Sequence, residues 1–459
     1  MQKNLYKNSY DLLQNDLKNK ILLLDGAMGT MIQQENLTAD DFGGEKYEGC
    51  NDYLVLQRPD VIKNIHKKYL EAGSDIIETN SFGALDIVLK DYDLEDTVFE
   101  MNKKAAELVN EAIAEYRSEH PEVTRNLYVA GALGPSNKSI SVTGGVTFEE
   151  LIHTYYTAVS GLMAGGVDLI LFETIQDTRN LKAAYLGLKK AMEENYTVPL
   201  MLSFTIESTG TTLAGQTADA FYYAVNHMNP FSVGLNCATG PEFMTQFLKT
   251  LNNISNTYIS VYPNAGLPNE DGEYEETPDT LSAKIEPFFQ NNYLNIVGGC
   301  CGTTPEHIQK IKEKSVNYSP RVIDENKDFN DVSGLIALET PKNRPIYVGE
   351  RTNVIGSRIF KNLIASEKFD EATEVARLQI KGRADVIDIC LANPDRDEIA
   401  DMKAFLDKVA KFAKVPLMID STDINVVKEG LTYLQGKGII NSINLEDGEK
   451  KFADMAKVI

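Results

Sequence analysis

Positive charge is scarce in this sequence. The chain of 459 residues holds 45 lysines and arginines against 67 aspartates and glutamates, which gives a formal net charge of −22. A surface with this balance repels phosphate backbones and anionic lipid head groups. We therefore expect neither a nucleic-acid partner nor a membrane partner.

Long apolar runs are also missing. No stretch of 18 or more apolar residues could cross a bilayer, and the N-terminal MQKNLYKNSYDLLQNDLKNK is polar and helical in pattern, unlike a signal peptide. Cysteine is rare, and the odd count of five includes the adjacent Cys300 and Cys301, so a disulfide framework is a poor interpretation. We expect a cytoplasmic protein whose cysteines have to be considered for metal or thiol chemistry.

Short runs rich in Ile, Leu and Val are abundant. Eight of them, each followed by a longer amphipathic stretch, start at Ile21, Asp75, Leu127, Val167, Pro199, Phe231, Tyr258 and Leu294. The stretches 149–164 and 180–192 place apolar residues at helical spacing. Eight doubly covered parallel strands predict a (β/α)8 TIM barrel. The alternative is an open doubly wound sheet. That fold would be expected to carry a glycine-rich phosphate-binding motif, which the sequence does not contain.

A second series of strands follows a break in the pattern. Residues 317–345 contain Pro, Asn and Asp with little periodicity, and four more strand candidates start at Ile346, Asp385, Pro416 and Gly438. Four βα units are half of a closed barrel and leave a parallel edge unpaired. We predict a barrel over residues 1–318, a linker over 319–343, and a second, incomplete (β/α) barrel over 344–459.

The carboxyl ends of the strands carry the candidate chemistry, because they share one mouth in a (β/α)8 barrel. The positions expected there are Asp25, Glu78, Thr79, Asn80, Glu173, Thr174, Asn236, Cys237, Asn264, Cys300 and Cys301. Three protein thiolates that leave a fourth position open would suit a catalytic zinc ion. Small buried core cysteines are the alternative, and barrel geometry alone leaves both interpretations open.

Two acidic residues, Asp25 and Glu173, are expected at strand ends among apolar neighbours. Their carboxylates could hold a substrate ammonium group, and the turn at Gly26 and Ala27 offers backbone N–H groups to a substrate carboxylate. An amino-acid substrate fits both features, whereas the alternative is that the two carboxylates cap the following helices. We assign His66, His153 and His307 to surface or packing positions.

Longer motifs carry a resemblance to a known family. LLDGAMGTMIQ, ETNSFG, GLNCATGP and VGGCCGTTPEHI resemble the homocysteine methyltransferase module. VGERTNVIGSR, DVIDIC, MIDS and GKGIINSI resemble the start of the pterin-binding module that follows it in the cobalamin-dependent methionine synthase family. The resemblance covers nearly the whole chain and keeps the family's module order.

The resemblance implies a reaction and a set of residues. It implies that Cys237, Cys300 and Cys301 bind zinc, that the homocysteine sulfur completes the tetrahedron, and that Asp25 and Glu173 hold the substrate amino group. It implies formation of methionine, with the methyl group carried by cobalamin and supplied by 5-methyltetrahydrofolate. Cobalamin would be bound by another domain or by a partner chain. The residues implied to face the pterin are Asn353, Asp388, Asp420 and Asn441, with helix caps as the alternative.

Two departures from the family pattern shape the expected activity. The family's pterin barrel is complete and is followed by cobalamin-binding and reactivation modules, whereas this sequence stops near the fourth strand of that barrel, and LANPDRDE replaces an acidic, glycine-containing turn. We therefore expect demethylation of methylcobalamin without use of methyltetrahydrofolate by this chain alone. The alternatives are another methyl donor, such as betaine or S-methylmethionine, and a non-catalytic scaffold that docks a corrinoid protein.

Overall fold

The computed structural model describes residues 2–269, 274–324, 327, 331–340 and 345–459. The chain forms two compact units. Unit 1 holds Met1–Gln176, Ala183–Leu213 and Met228–Lys327, and unit 2 holds Asp177–Lys182, Ala214–His227 and Asp328–Ile459. The boundaries at 318 and 344 stay predictions, and residues 325–326, 328–330 and 341–343 of the predicted linker lie outside the described residues.

The eight apolar runs of the first series all form strands, which confirms the predicted (β/α)8 barrel. The strands are β1 Leu22–Leu23, β2 Ile76–Glu78, β3 Tyr128–Leu133, β4 Leu169–Ile175, β5 Leu200–Phe204, β6 Ser232–Asn236, β7 Tyr258–Tyr262 and β8 Ile296–Val297. They pair in parallel in the order β1-β8-β7-β6-β5-β4-β3-β2. Nearly all strand residues are buried, which explains why the runs are apolar throughout instead of alternating.

The join between β1 and β2 differs from the other strand pairs. One parallel bridge, between Leu24 and Ile76, connects the two strands, and the N–H of Asp75 donates to the carbonyl of Leu23 (2.7 Å). Aspartate side chains add to it: Asp75 accepts a hydrogen bond from the backbone of β1 (3.1 Å), and Asp25 accepts one from the backbone N–H of Glu78 (3.1 Å). Side chains therefore take over part of the role that a backbone ladder has elsewhere in the barrel.

Twelve α-helices lie among the described residues between 2 and 315. They are α1 Gln2–Asn19, α2 Met28–Gln34, α3 Leu54–Gln57, α4 Pro59–Ala72, α5 Asp86–Leu89, α6 Val98–Glu119, α7 Phe148–Gly165, α8 Thr178–Glu194, α9 Ala218–Val225, α10 Pro241–Ile254, α11 Pro278–Gln290 and α12 Pro305–Ser315. The predicted helices 149–164 and 180–192 are confirmed as α7 and α8. None of the helices among the described residues combines the length and hydropathy that crossing a bilayer requires.

Helix α1 closes one end of the barrel core. Its Leu13 and Leu17 are fully buried in one apolar cluster that includes Ile76 and Tyr128, the first residues of β2 and β3. Helix α1 thus packs at the amino ends of the strands, and the carboxyl ends, which carry the polar residues, form the mouth of the barrel.

Unit 2 contains a second parallel sheet, as predicted. Its strands are β11 Val348–Gly349, β12 Val386–Ile389, β13 Leu417–Asp420 and β14 Ile439–Asn441, in the order β11-β12-β13-β14. The helices are α13 Arg358–Ala365, α14 Phe369–Lys381, α15 Glu398–Val409, α16 Ile424–Leu431 and α17 Glu449–Val458. An antiparallel hairpin, β9 Val332–Ser333 with β10 Ala337–Leu338, lies in the stretch predicted as linker.

Candidate functional site

Three thiol groups lie together at the mouth of the barrel. Cys237 follows β6, and Cys300 and Cys301 follow β8. The Sγ atom of Cys301 lies 3.9 Å from that of Cys237 and 4.0 Å from that of Cys300, and all three sulfur atoms are within 4.8 Å of one another. The structure thus brings together the three cysteines that the sequence places at strand ends, whereas Cys50 and Cys390 are buried outside this cluster.

The backbone at the end of β6 is held in an uncommon conformation. Cys237 and Ala238 have φ values of 53° and 56°, in the left-handed region that residues with a side chain rarely adopt. The buried side chain of Asn236 anchors this turn, because its Oδ1 accepts hydrogen bonds from the N–H of Thr174 (3.1 Å) and from the hydroxyl of Ser203 (2.6 Å). The ends of β4 and β6 are therefore fixed relative to each other.

The adjacent cysteines can both face the cluster because β8 ends at Val297, before them. The chain then turns through Gly299, where an added Cβ would clash with the hydroxyl oxygen of Thr303. That hydroxyl donates a hydrogen bond to the carbonyl of Cys300 (2.7 Å) and accepts one from the N–H of Ala27 (3.1 Å). Sequence reasoning missed Thr303, although its place directly after the GGCCG turn was a usable signal.

The three sulfur atoms fit a tetrahedral metal centre. Four ligands at about 2.3 Å from a zinc ion place sulfur atoms about 3.8 Å apart, close to the two separations given above. Hydrogen bonds from Cys237 and Cys300 lower the pKa of Cys301, so the cluster already favours one thiolate. Among the residues that the structure describes, this is the only group of three or more Cys, His, Asp or Glu side chains arranged to bind a metal.

Three carboxyl groups lie at the same mouth; Asp25 and Glu173 are buried, and Glu78 is half-buried. Burial raises the pKa of Glu173 to about 8; the charge of Cys301 adds to this shift, and the Tyr262 hydroxyl partly offsets it. Burial also raises the pKa values of Asp25 and Glu78 well above the usual range, and the charge of Glu173 contributes to both shifts. The sequence placed Glu78 at the mouth without assigning it a role.

Neither predicted ammonium-binding carboxylate caps a helix in the described contacts. The N-cap of α2 is Ala27, with no side-chain hydrogen bond, and Asp25 instead accepts from the N–H of Glu78. Glu173 lies within β4, and α8 begins only at Thr178.

The turn after Asp25 is crowded. An added Cβ at Gly26 would lie 2.8 Å from the hydroxyl oxygen of Thr303 and 2.9 Å from the ring of Tyr69. The Ala27 N–H already donates to Thr303 (3.1 Å), so in this structure that donor is not free for a substrate carboxylate.

The three histidines occupy packing or surface positions, as expected. His66 is fully buried without a hydrogen bond at either ring nitrogen, and burial lowers its pKa to about 3. The ring of His307 contacts the N–H of Thr304 (3.1 Å) and the carbonyl of Glu276 (2.9 Å) at the start of α12. His153 is exposed.

In unit 2, three of the four residues predicted to face a pterin lie together. The Nδ2 of Asn353 donates to Asp388 (3.1 Å) and to Asp420 (3.3 Å), and Oδ1 of the buried Asp388 has no hydrogen-bond partner. Burial raises the pKa of Asp388 to about 6, with Asp420 and Glu350 adding to the shift and the hydrogen bond from Asn353 opposing it. Asn441 is in register with Asp420 on the neighbouring strand, but it is exposed.

Comparisons with known proteins follow the same division of the chain. A family model described as homocysteine S-methyltransferase matches residues 22–315, and one described as pterin binding enzyme matches residues 349–459. Crystal structures of the homocysteine methyltransferase MmuM from Escherichia coli are similar to this chain. The oxidized form has 24% identity and a TM-score of 0.55 over 67% of this chain and 100% of that chain. The metallated form has 25% identity and a TM-score of 0.53 over 65% and 97%.

Proposed function

The chain belongs to the homocysteine S-methyltransferase family, and from this premise we propose that it takes part in cobalamin-dependent methyl transfer from 5-methyltetrahydrofolate to homocysteine, which yields methionine. In this proposal Cys237, Cys300 and Cys301 bind zinc, and Asp25 and Glu173 bind the ammonium group of the substrate. The spacing of the three thiols is the observation that carries the proposal.

The chemistry explains why such a site is needed. A free thiol with a pKa of about 8.5 is only a few per cent thiolate near neutral pH, and the thiolate is the nucleophile. Zinc bound by the three cysteines supplies the Lewis acidity that keeps a coordinated thiol deprotonated. Asp25 and Glu173 bind and orient the amino-acid end of the substrate, so that its sulfur is presented at the cysteine cluster.

The second unit supports folate as the source of the methyl group. Residues 349–459 match the pterin-binding model, and the Asn353, Asp388 and Asp420 side chains form one cluster at the strand ends. Carboxylate and amide groups suit the donors and acceptors on the edge of a pterin ring. Cobalamin would be carried by another domain or by a partner chain, since we assign no cobalamin site to the described residues.

A different methyl donor is the second candidate. MmuM is a homocysteine methyltransferase whose whole chain corresponds to 67% of this one, so the reaction with homocysteine does not require the pterin-binding part. Betaine and S-methylmethionine are small donors that could reach the mouth of the barrel directly.

One assay separates these possibilities. The zinc-loaded 459-residue chain is mixed with homocysteine and with methylcobalamin, betaine or S-methylmethionine, and methionine is measured. We expect methionine with methylcobalamin. Methionine formed only with betaine or S-methylmethionine would contradict the proposal and support the second candidate. No methionine with any donor, at full zinc content, would support a non-catalytic docking role.

A further inference from the structure

Glu78 is the one carboxyl group at the barrel mouth to which neither the sequence nor the proposed function gives a role. It ends β2, next to Asp25 at the end of β1, and its N–H donates to the Asp25 carboxylate at 3.1 Å. The Oε1 of Glu78 and the Oδ1 of Asp25 are both buried and have no hydrogen-bond partner. Asp25 itself is 3% exposed.

Unpartnered carboxylate oxygens inside a protein are expensive, because burial removes water without replacing its hydrogen bonds. Within the described part of the chain, no lysine, arginine or histidine forms an ion pair with Asp25, Glu78 or Glu173. The N–H of Glu78 donates to the Asp25 carboxylate, and the charges of Glu173 and Asp25 both raise the pKa of Glu78. A cation with several N–H donors, bound from outside the protein, would supply the hydrogen bonds that these carboxyl oxygens lack.

We propose that Glu78 is a specificity-determining residue that binds the α-ammonium group of homocysteine as a third carboxylate beside Asp25 and Glu173. The proposal rests on the proposed function, since it assumes a homocysteine whose sulfur lies at the cysteine cluster. An ammonium group has three N–H donors and no acceptor, so three carboxyl groups can each take one hydrogen bond. A thiol without an ammonium group would leave these buried acceptors unpaired, and a site of this kind rejects such an analogue strongly.

The test compares two thiols by titration calorimetry on the zinc-loaded full chain. L-Homocysteine and 4-mercaptobutanoate share a thiol and a carboxylate, and only homocysteine has the ammonium group. We expect Glu78→Gln to weaken homocysteine binding about 10- to 100-fold, as loss of a charged hydrogen bond does, and to change 4-mercaptobutanoate binding less than about twofold. Glu95→Gln is the matched control, because Glu95 also has a buried, unpartnered carboxyl oxygen but lies in the short turn before α6.

Thermal unfolding separates a binding role from a structural one. Because Glu78→Gln removes a buried ionisable group without a cation partner, the Tm of the ligand-free variant should equal or exceed that of the wild type. Equal weakening of both thiols, a lower Tm, or unchanged preference for homocysteine would overturn the role of Glu78. If the wild-type chain binds neither thiol, the proposed function fails, and the inference fails with it.

Discussion

Cys237 and Thr174 both hold left-handed backbone conformations, with φ values of 53° and 55°, and each lies at or next to a proposed site residue. Such conformations cost free energy and persist where surrounding contacts over-determine them. At Thr174 those contacts come from Asn236, whose Oδ1 accepts from the Thr174 N–H and whose Nδ2 donates to the Thr174 hydroxyl (2.8 Å). At Cys237 the backbone N–H donates to the carbonyl of Tyr262 (3.3 Å). The Asn236 side chain therefore links the residue after Glu173 to the strand end that carries Cys237.

The metal assignment is tested at a single cysteine. We expect Cys301→Ala to lose bound zinc, from about one per chain to a small fraction, because three protein thiolates are needed to hold the ion. The circular dichroism spectrum should be unchanged, because the barrel core is apolar. Cys390→Ala, which removes a buried cysteine outside the cluster, should keep its zinc. Full zinc content in Cys301→Ala would show that the ion is bound elsewhere.

The two ammonium-binding carboxylates are tested by neutral replacements. Asp25→Asn and Glu173→Gln should keep zinc but bind homocysteine about 10- to 100-fold more weakly, because each removes a charged hydrogen bond and no metal ligand. Calorimetric titration of the zinc-loaded variants measures this. Unchanged affinity in both would mean that the two carboxyl groups do not touch the substrate.

Asp388 gives unit 2 a defined dependence on pH. Its pKa is about 6 in the folded chain, against about 3.9 for an unfolded aspartate, so the folded state holds this proton more tightly. Stability therefore falls as pH rises from about 4 to about 6, and the cost of the charged form is fully present above that range. Asp388→Asn should thus be more stable than wild type near pH 7.5, and this difference should vanish near pH 4.

Denaturant unfolding at the two pH values measures the effect, with Asp407→Asn, an exposed change in α15, as the control. A wild-type chain that is more stable than Asp388→Asn at pH 7.5 would contradict the assigned shift.

At the scale of elements, helix boundaries are set by local hydrogen bonds. Thr147 precedes α7, and its hydroxyl accepts from the N–H of Glu150 (3.2 Å) while the Glu150 carboxylate accepts from the N–H of Thr147 (2.7 Å). Gly166, with φ of 90°, ends the helix in a conformation that glycine adopts readily. The Thr-x-x-Glu pattern and the terminal glycine were readable in the sequence, and the predicted span 149–164 lies within α7.

The cap makes a measurable contribution to stability. Thr147→Ala should lower the free energy of unfolding by about 1 kcal/mol, because the N–H of Glu150 loses the hydroxyl that accepts its hydrogen bond. Thr157→Ala is the control within the same helix, where the hydroxyl only donates to the carbonyl of His153 and alanine favours the helix. Equal losses in both variants, measured by denaturant titration, would mean that the cap is not the cause.

The same elements show what the sequence could predict. Buried strands need apolar residues on both faces, so all eight runs and the four of the second series were visible as strands. Strand ends meet at one mouth, so the meeting of Cys237 with Cys300 and Cys301 followed from topology. Hydrogen-bond partners did not follow, because they depend on side-chain directions. The bonds of Thr303, the unpartnered Glu78 oxygen and the exposure of Asn441 are therefore findings of the structure.

At the scale of the whole molecule, one unit is contiguous in space but not in sequence. Unit 2 takes in Asp177–Lys182 and Ala214–His227 together with Asp328–Ile459. Within it, the ammonium group of the half-buried Lys182 donates to the carbonyls of Leu434 (2.7 Å) and Gly436 (2.8 Å), and burial lowers its pKa to about 7. Composition shifts along the chain cannot reveal such an assembly, because distant segments contribute to it without any local signal.

The join between β1 and β2 has less backbone pairing than the rest of the barrel. The two strands share one parallel bridge, between Leu24 and Ile76, whereas β5 and β6 share four paired positions. Hydrogen bonds to the Asp25 and Asp75 side chains also stabilise the join. Local separation of β1 from β2 should let the Glu78 amide exchange its hydrogen with water faster than the amides of β6 do. A homocysteine bound to both Asp25 and Glu78 would link β1 to β2. Its binding should therefore slow hydrogen exchange of the Glu78 amide and leave exchange of the β6 amides unchanged. Bound homocysteine would then stabilise the strand pair at which its own binding site closes into a barrel.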